Sequence, residues 1–129
     1  MSESEAAIEK EIQDKGLTAP RLTPALIDAA IQSEHYFTAE DGVQGAYRAG
    51  NDVHPEGSSP SREQVQQLGL MTFCVLVLRN GYTVTGESAC ASPENFNAEI
   101  GRKIAKDNAR NKIWGLEGYL LRQKLHDEA

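Results

Sequence analysis

Polar side chains gather around the start of a predicted helix in the second half of the chain. Ser92 and Pro93 predict that start, because serine is a favoured N-cap and proline suits the first helical position. Ser88, Asn95 and Asn97 add a hydroxyl and two amides to the free N–H groups of a helix N-terminus, so this region can bind an anion such as phosphate. Capping is the simpler explanation of Ser92, and Asn95 can complete an imperfect capping box. Two asparagines in one first turn have no evident packing role.

Two cations and one aromatic side chain can add further ligand contacts to this anion-binding region. Basic residues outnumber acidic ones between residues 94 and 112, within a chain that is acidic as a whole. Arg110 and Lys112 can supply charge for a phosphate, even across a subunit boundary. Tyr82, just after a predicted turn, can stack on a base. A solvated helix face and cover for a cross-strand neighbour are the ordinary explanations of such residues, and they stay open.

No pattern in the sequence indicates catalysis or a metal site. The three histidines share no ligand spacing, which argues against zinc. A phosphate loop, a dinucleotide fingerprint and a Gly-x-Ser-x-Gly motif do not occur. Nothing supports Cys90 and His35 as a nucleophile pair. We therefore expect no enzymatic activity, no cofactor and no metal.

A β-hairpin is predicted to position these groups. Asn80-Gly81 lies between two β-rich runs and predicts a type I′ turn with a two-residue loop. That register opposes Val77 to Val84 and Cys74 to Glu87. One face then carries Phe73, Val75, Val77, Tyr82 and Val84. Because the first strand is apolar on both faces, a helix must cover one face and another surface, such as a second subunit, the other.

A long helix over residues 93–112 is predicted to pack on this hairpin. Phe96, Ile100 and Ile104 recur every four residues and mark the predicted packing face. Trp114-Gly115 is expected to interrupt the helix before a last short helix begins.

The elements predict one α+β domain, assembled into an oligomer. A small antiparallel β-sheet is built on the hairpin at about residues 71–88 and packed by the long helix, with short N- and C-terminal helices. Residues 1–22 form a polar segment that is either a short helix or disordered. Residues 23–67 are a helical region with a mobile loop, and residues 68–129 form the hairpin and helix core.

Two local patterns predict helices in the region before the hairpin. Pro24 to Glu34 has an apolar stripe that predicts a helix, ended by His35-Tyr36-Phe37. Thr38 and Asp41 fit a capping box that opens a second short helix. Residues 48–62 are rich in glycine, serine and proline and predict the mobile loop.

Composition limits the class of partner. The net charge of -6 and a sequence pI near 5.0 argue against a broad surface for nucleic-acid polymers or anionic membranes. The longest apolar run, Thr72 to Leu78, is too short to span a bilayer, and residues 1–11 lack the apolar segment of a signal peptide. With two cysteines expected to be reduced, we predict a soluble cytoplasmic protein.

Four short runs in the C-terminal half are distinctive. They are Glu87-Ser88-Ala89-Cys90, Ser92-Pro93-Glu94-Asn95, Glu99-Ile100-Gly101 and Leu116-Glu117-Gly118-Tyr119. This half of the chain resembles a family of small bacteriophage proteins with which the Thoeris anti-defence 1 proteins are associated.

The resemblance implies a function and a partner. Such a protein is a homo-oligomer, a dimer or a hexamer, that binds a cyclic ADP-ribose signal made by a bacterial TIR-domain defence protein. It withholds that signal from its effector without cleaving it, in the cytoplasm of the infected cell. Some members are also associated with cyclic oligonucleotide signals. The alternatives are a module that binds a host protein through the hairpin faces and residues 114–119, and, with less support, an enzyme that degrades the signal.

The resemblance also bears on individual positions. It implies that Asn95 contacts the ligand and that Lys112 occupies the basic position before Ile113-Trp114. Asn97 stands where relatives often have aspartate, and Gly115 stands where close phage relatives have proline.

Overall fold

The computed structural model describes residues 3–51, 54 and 59–129. It confirms the α+β class, with a three-stranded antiparallel sheet of order β1-β2-β3 and a long C-terminal helix. In chain order the elements are α1 (Glu3–Asp14), α2 (Pro24–Ala29), β1 (Ile31–Thr38), α3 (Ala39–Arg48), α4 (Arg62–Leu68), β2 (Met71–Leu78), β3 (Thr83–Ala89) and α5 (Ala98–Glu128). Within these ranges no helix is both long enough and apolar enough to cross a membrane.

The β2–β3 hairpin forms, but the prediction of a type I′ turn was wrong. The loop is Arg79-Asn80-Gly81: the Gly81 N–H donates to the Leu78 carbonyl at 2.9 Å, and the Leu78 N–H donates to the Tyr82 carbonyl at 2.8 Å. Gly81 has φ +90°, whereas Asn80 keeps a negative φ and accepts the Tyr82 N–H on its side-chain oxygen. This is the three-residue hairpin that ends in a left-handed glycine.

The longer loop shifts the predicted register by one residue. Val84 lies opposite Leu76, and Thr83 lies opposite Val77. Because side chains alternate along a strand, this shift moves Val84 to the other face of β3. It joins Cys74, Leu76 and Leu78 on the face that α5 covers, and all four are buried.

The third strand was not predicted. The expected helix Pro24–Glu34 ends at Ala29, and His35-Tyr36-Phe37 lies inside β1 instead of ending a helix. Tyr36 lies opposite Cys74, and Phe37 stacks on Phe73 with ring centroids 5.5 Å apart. Pairing with the doubly apolar β2 outweighs the local helical pattern, because strand preference depends on such neighbours.

Helix α5 is continuous, so the predicted interruption at Trp114-Gly115 was wrong. Gly115 has no atom near the position of a Cβ and costs only its helix propensity, about 1 kcal/mol. The 30 other residues of this 31-residue helix outweigh that cost. The predicted start at residue 93 was also wrong: Pro93–Asn95 forms a separate 3₁₀ turn, and α5 begins at Ala98.

Three small residues and Ile113, and not the predicted isoleucines, pack α5 on the sheet. Gly101, Ala105, Ala109 and Ile113 recur every four residues and are buried. The predicted packing residues Ile100 and Ile104 are 55% and 45% exposed. The stripe of small side chains lets the helix backbone lie directly against β3, which explains why the prediction from large residues was wrong.

The N-terminal helix is held by charge. No residue of α1 is buried, but Arg21 pairs with Glu9 at 2.6 Å and Arg110 pairs with Glu5. Hydrogen bonds from Arg21 lower the pKa of the Glu9 carboxyl from 4.5 to about 2, although partial desolvation opposes the shift. Glu9 is therefore charged at neutral pH.

The capping box predicted at Thr38 and Asp41 is present at the start of α3. A second box, between Ser61 and Gln64, opens α4, a helix that was not predicted. The loop predicted over residues 48–62 includes residues 52–53 and 55–58, which lie outside the described part of the chain.

Candidate functional site

Three of the predicted ligand-binding residues line one cavity at the N-terminal end of α5. Ser88, at the end of β3, lines a cavity of about 140 Å³ together with Asn95 and Asn97. Its apolar walls are Leu70, Phe96, Ile100 and Ile104. The two exposed isoleucines, Ile100 and Ile104, therefore line the cavity and do not lie on the packed face of the helix.

Asn97 is the N-cap of α5. Its side-chain oxygen accepts the Ile100 N–H at 3.0 Å. The predicted capping by Ser92 was wrong: its hydroxyl makes no cap hydrogen bond, and its carbonyl accepts the Cys90 thiol hydrogen at 3.2 Å. No cap hydrogen bond to the Asn95 side chain is present at this turn, so that amide is available to a ligand.

The first turn of α5 leaves backbone donors available. Asn97 satisfies the N–H of Ile100, but the N–H groups of Ala98 and Glu99 donate to no residue in the described ranges. Such groups, at the positive end of a long helix, attract anions. The cavity therefore combines backbone donors, two amides and a hydroxyl.

The structure does not bring the other predicted residues to this cavity. Arg110 lies 13 positions after Asn97 on α5, or about 20 Å along the helix axis, and Lys112 lies further on at an exposed position. Tyr82 lines a separate apolar groove of about 620 Å³, formed by α2, the hairpin tip and the C-terminal half of α5. Ser92 lies near the turn but does not line the cavity.

Arg110 is engaged with other parts of the chain. Arg110 is 5% exposed, and its guanidinium donates to Asp28 at 2.7 Å, to Glu5 at 2.5 Å and to the Pro24 carbonyl at 3.3 Å. The hydrogen bonds that Arg110 donates to Glu5, and then to Asp28, raise the pKa of Arg110 further, so its charge is permanent. In this arrangement Arg110 joins α1 and α2 to α5.

Comparison with known proteins shows to which family the chain is related. Residues 22–125 match the family model described as Phage protein (N4 Gp49/phage Sf6 gene 66) family. The chain belongs to this phage protein family. No curated protein and no solved structure matches the chain.

The match to the phage family includes the candidate cavity and all three strands. It begins at Leu22, and so it excludes α1. The expected relationship to small bacteriophage proteins is confirmed at the level of this family.

A second cavity, which sequence reasoning missed, adjoins the first. It also measures about 140 Å³ and shares Thr72 and Phe96 with the first cavity, while Thr38 and Arg102 line its other walls. One signal was present in the sequence: Thr72 is a polar residue at the start of an apolar run.

Of the two cysteines, Cys90 lines the cavity and donates its thiol hydrogen to the Ser92 carbonyl, whereas Cys74 does not line it. Among the described residues, no group of three or more histidine, cysteine, aspartate or glutamate side chains could hold a metal. Cys74 is fully buried in the core, and that burial raises the pKa of its thiol. The Cys74 thiol therefore stays protonated at neutral pH.

The two asparagines are expected to respond differently to replacement by alanine. Asn97→Ala removes a helix cap and is expected to lower the free energy of unfolding by about 1 kcal/mol. Asn95→Ala removes no cap and should leave the midpoint of urea unfolding nearly unchanged. Equal losses of stability in the two variants would show that Asn95 is structural and not available to a ligand.

Proposed function

We propose that this phage protein binds a nucleotide immune signal of its bacterial host and sequesters it without cleaving it. The ligand is a cyclic ADP-ribose isomer or a cyclic oligonucleotide. The observation that carries the proposal is the cavity that joins Ser88, Asn95 and Asn97 with the available N–H groups of α5. Amides, a hydroxyl and a helix N-terminus suit a pyrophosphate and a ribose. The resemblance of the C-terminal half to Thoeris anti-defence 1 proteins supports this class of ligand.

The size of the cavity supports a homo-oligomer, a dimer or a hexamer. At about 140 Å³ it is smaller than the ~300–1,000 Å³ of common small-molecule sites, so a second copy can supply further contacts. Val75 and Val77 face away from α5 and are only half-buried in one chain. A partner subunit on this face would bury them. Size-exclusion chromatography with light scattering tests the assembly, and a monomer at micromolar concentration would contradict it.

Binding and sequestration are tested in two steps. Isothermal titration of the folded protein with cyclic ADP-ribose isomers and with cyclic di- and trinucleotides should reveal at least one tight ligand. Heating the complex should then release that ligand intact, as judged by chromatography. The absence of binding to all of these probes contradicts the proposal, and a chemically changed ligand indicates an enzyme instead. Asn95→Ala should weaken binding while the protein stays folded.

A second candidate function, binding to a host protein, is favoured by the apolar groove near the hairpin tip. Tyr82, Tyr119 and Leu120 line this groove and are 59%, 74% and 53% exposed. Exposed apolar patches with aromatic side chains are typical of protein interfaces. A stoichiometric host partner that Tyr119→Ser releases, recovered without a small molecule, would favour this function over sequestration.

The proposed place of action is the cytoplasm of the infected bacterium, where a defence signal of this kind is made. Both candidate functions are compatible with that location.

A further inference from the structure

Three hydroxyl-bearing residues cross the sheet in a row beneath the first turns of α5. Thr38 on β1 lies opposite Thr72 on β2, which lies opposite Ser88 on β3. Directly opposed residues are about 5 Å apart, so the row spans about 10 Å. Thr38 and Ser88 line different cavities, and Thr72 lines both. The row therefore forms a common floor.

The middle hydroxyl of this row, on Thr72, differs from its neighbour Thr38 in its hydrogen bonding. Thr72 is 3% exposed, yet its hydroxyl makes no hydrogen bond to any residue in the described ranges. By contrast, the Thr38 hydroxyl accepts the Asp41 N–H at 3.1 Å. A Cβ on Gly101 would lie 3.0 Å from the Thr72 oxygen, so the glycine avoids a tight contact with this hydroxyl. The Thr72 hydroxyl borders both cavities, so it is available to hydrogen-bond to a ligand there.

Arg102 directly follows Gly101 on α5, and it lines the second cavity together with Phe96. It is exposed and forms no ion pair within the described part of the chain. The neighbouring lysines are both paired with carboxylates, Lys103 with Glu99 and Lys106 with Glu34. Arg102 thus retains its full capacity to bind an anion.

We propose that the two cavities are one ligand site, in which Arg102 binds a phosphate group and the Thr72 hydroxyl hydrogen-bonds to the same ligand. This inference rests on the proposed function and extends its site across the sheet. Phe96 and Thr72 line both volumes, each of which is too small for a nucleotide on its own. Asp41 also lines the second cavity; one of its carboxylate oxygens accepts the Thr38 N–H, and the other suits the hydroxyl of a ribose. The ligand class is a nucleotide or another phosphorylated sugar.

The test is isothermal titration with two probes, cyclic ADP-ribose and inorganic pyrophosphate. Arg102→Gln should lower the affinity for both probes by about tenfold or more, and it should reduce the salt dependence of binding. Lys103→Gln is the matched control, because it removes the adjacent positive charge outside the cavities. Its affinities should stay within about twofold of those of the wild type. Arg102→Lys should recover part of the lost affinity.

Thr72→Val tests the hydroxyl separately. This variant keeps the shape of the side chain, so it should bind the probes more weakly while its melting temperature stays equal or rises. Thr85→Val, at an exposed position of β3, is the control and should bind as the wild type does.

The outcomes separate the inference from the function on which it rests. If the wild type binds cyclic ADP-ribose and Arg102→Gln binds it equally well, the inference is overturned and the proposed function stands. If only pyrophosphate binds and Arg102→Gln weakens it, the anion site is supported, while this nucleotide is excluded as the ligand. Binding of neither probe overturns the inference.

Discussion

Gly86→Ala is expected to lower the free energy of unfolding by about 3 kcal/mol or more. A Cβ at this position would overlap the carbonyl oxygen of Ala105 and the backbone nitrogen of Ala109. Both are main-chain atoms, so no side-chain rotation relieves the overlap. The helix must therefore move away from β3, and its contacts with Val84 and Leu76 loosen. Urea denaturation followed by circular dichroism measures the loss.

The matched control is Gly115→Ala. This glycine lies on α5, the helix that packs against Gly86, but a Cβ there meets no atom within 4 Å. Alanine should raise the free energy of unfolding by up to about 1 kcal/mol, because its helix propensity is higher. If Gly86→Ala proves as stable as the wild type to within about 0.5 kcal/mol, α5 does not pack on β3 at this close distance.

Much of the fold was predictable because the signals are local. The hairpin followed from two β-rich runs around Asn80-Gly81, and the capping box at Thr38 from a spacing of three residues. The exact loop was not predictable from that pair. Gly81 suits both a two-residue and a three-residue loop, and the choice between them moves Val84 from one face to the other.

The packing face of α5 depends on a residue far away in the sequence. Periodicity favoured Ile100 and Ile104, which are the larger apolar side chains. The sheet instead presents Gly86 to the helix, and the small residues Ala105 and Ala109 take the contact. Hydrophobic periodicity identifies large side chains, but it carries no information on how closely two backbones approach.

In the candidate site, too, closeness in sequence accounts for the position of some residues and not of others. Ser88, Asn95 and Asn97 come together because they are close in sequence around one turn. Arg110 was grouped with them by charge alone, although a helix of this length carries it about 20 Å away. Its partners, Glu5 and Asp28, come from helices that no local pattern connects to α5.

Arg110→Met is the second substitution with a large expected effect. Removal of one partner from a buried ion pair commonly costs ~3–5 kcal/mol. We expect about 3 kcal/mol, the lower end of that range, because the Asp28 side chain is 48% exposed and water can solvate it. The Glu5 side chain is only 20% exposed, so leaving it without Arg110 costs more than leaving Asp28 without it. The free energy of unfolding from urea titration gives the total.

The control for charge is Lys103→Met, which breaks the exposed pair with Glu99 and should cost no more than about 0.5 kcal/mol. Amide hydrogen exchange locates the effect of Arg110→Met. Because Arg110 joins α1 and α2 to α5, protection should fall in those two helices first and persist at Leu76 in the centre of the sheet. A uniform loss of protection would show instead that the ion pairs stabilise the whole core. Unchanged stability would show that α1 and α2 are held by other contacts, and that the Arg110 guanidinium is available for a ligand after all.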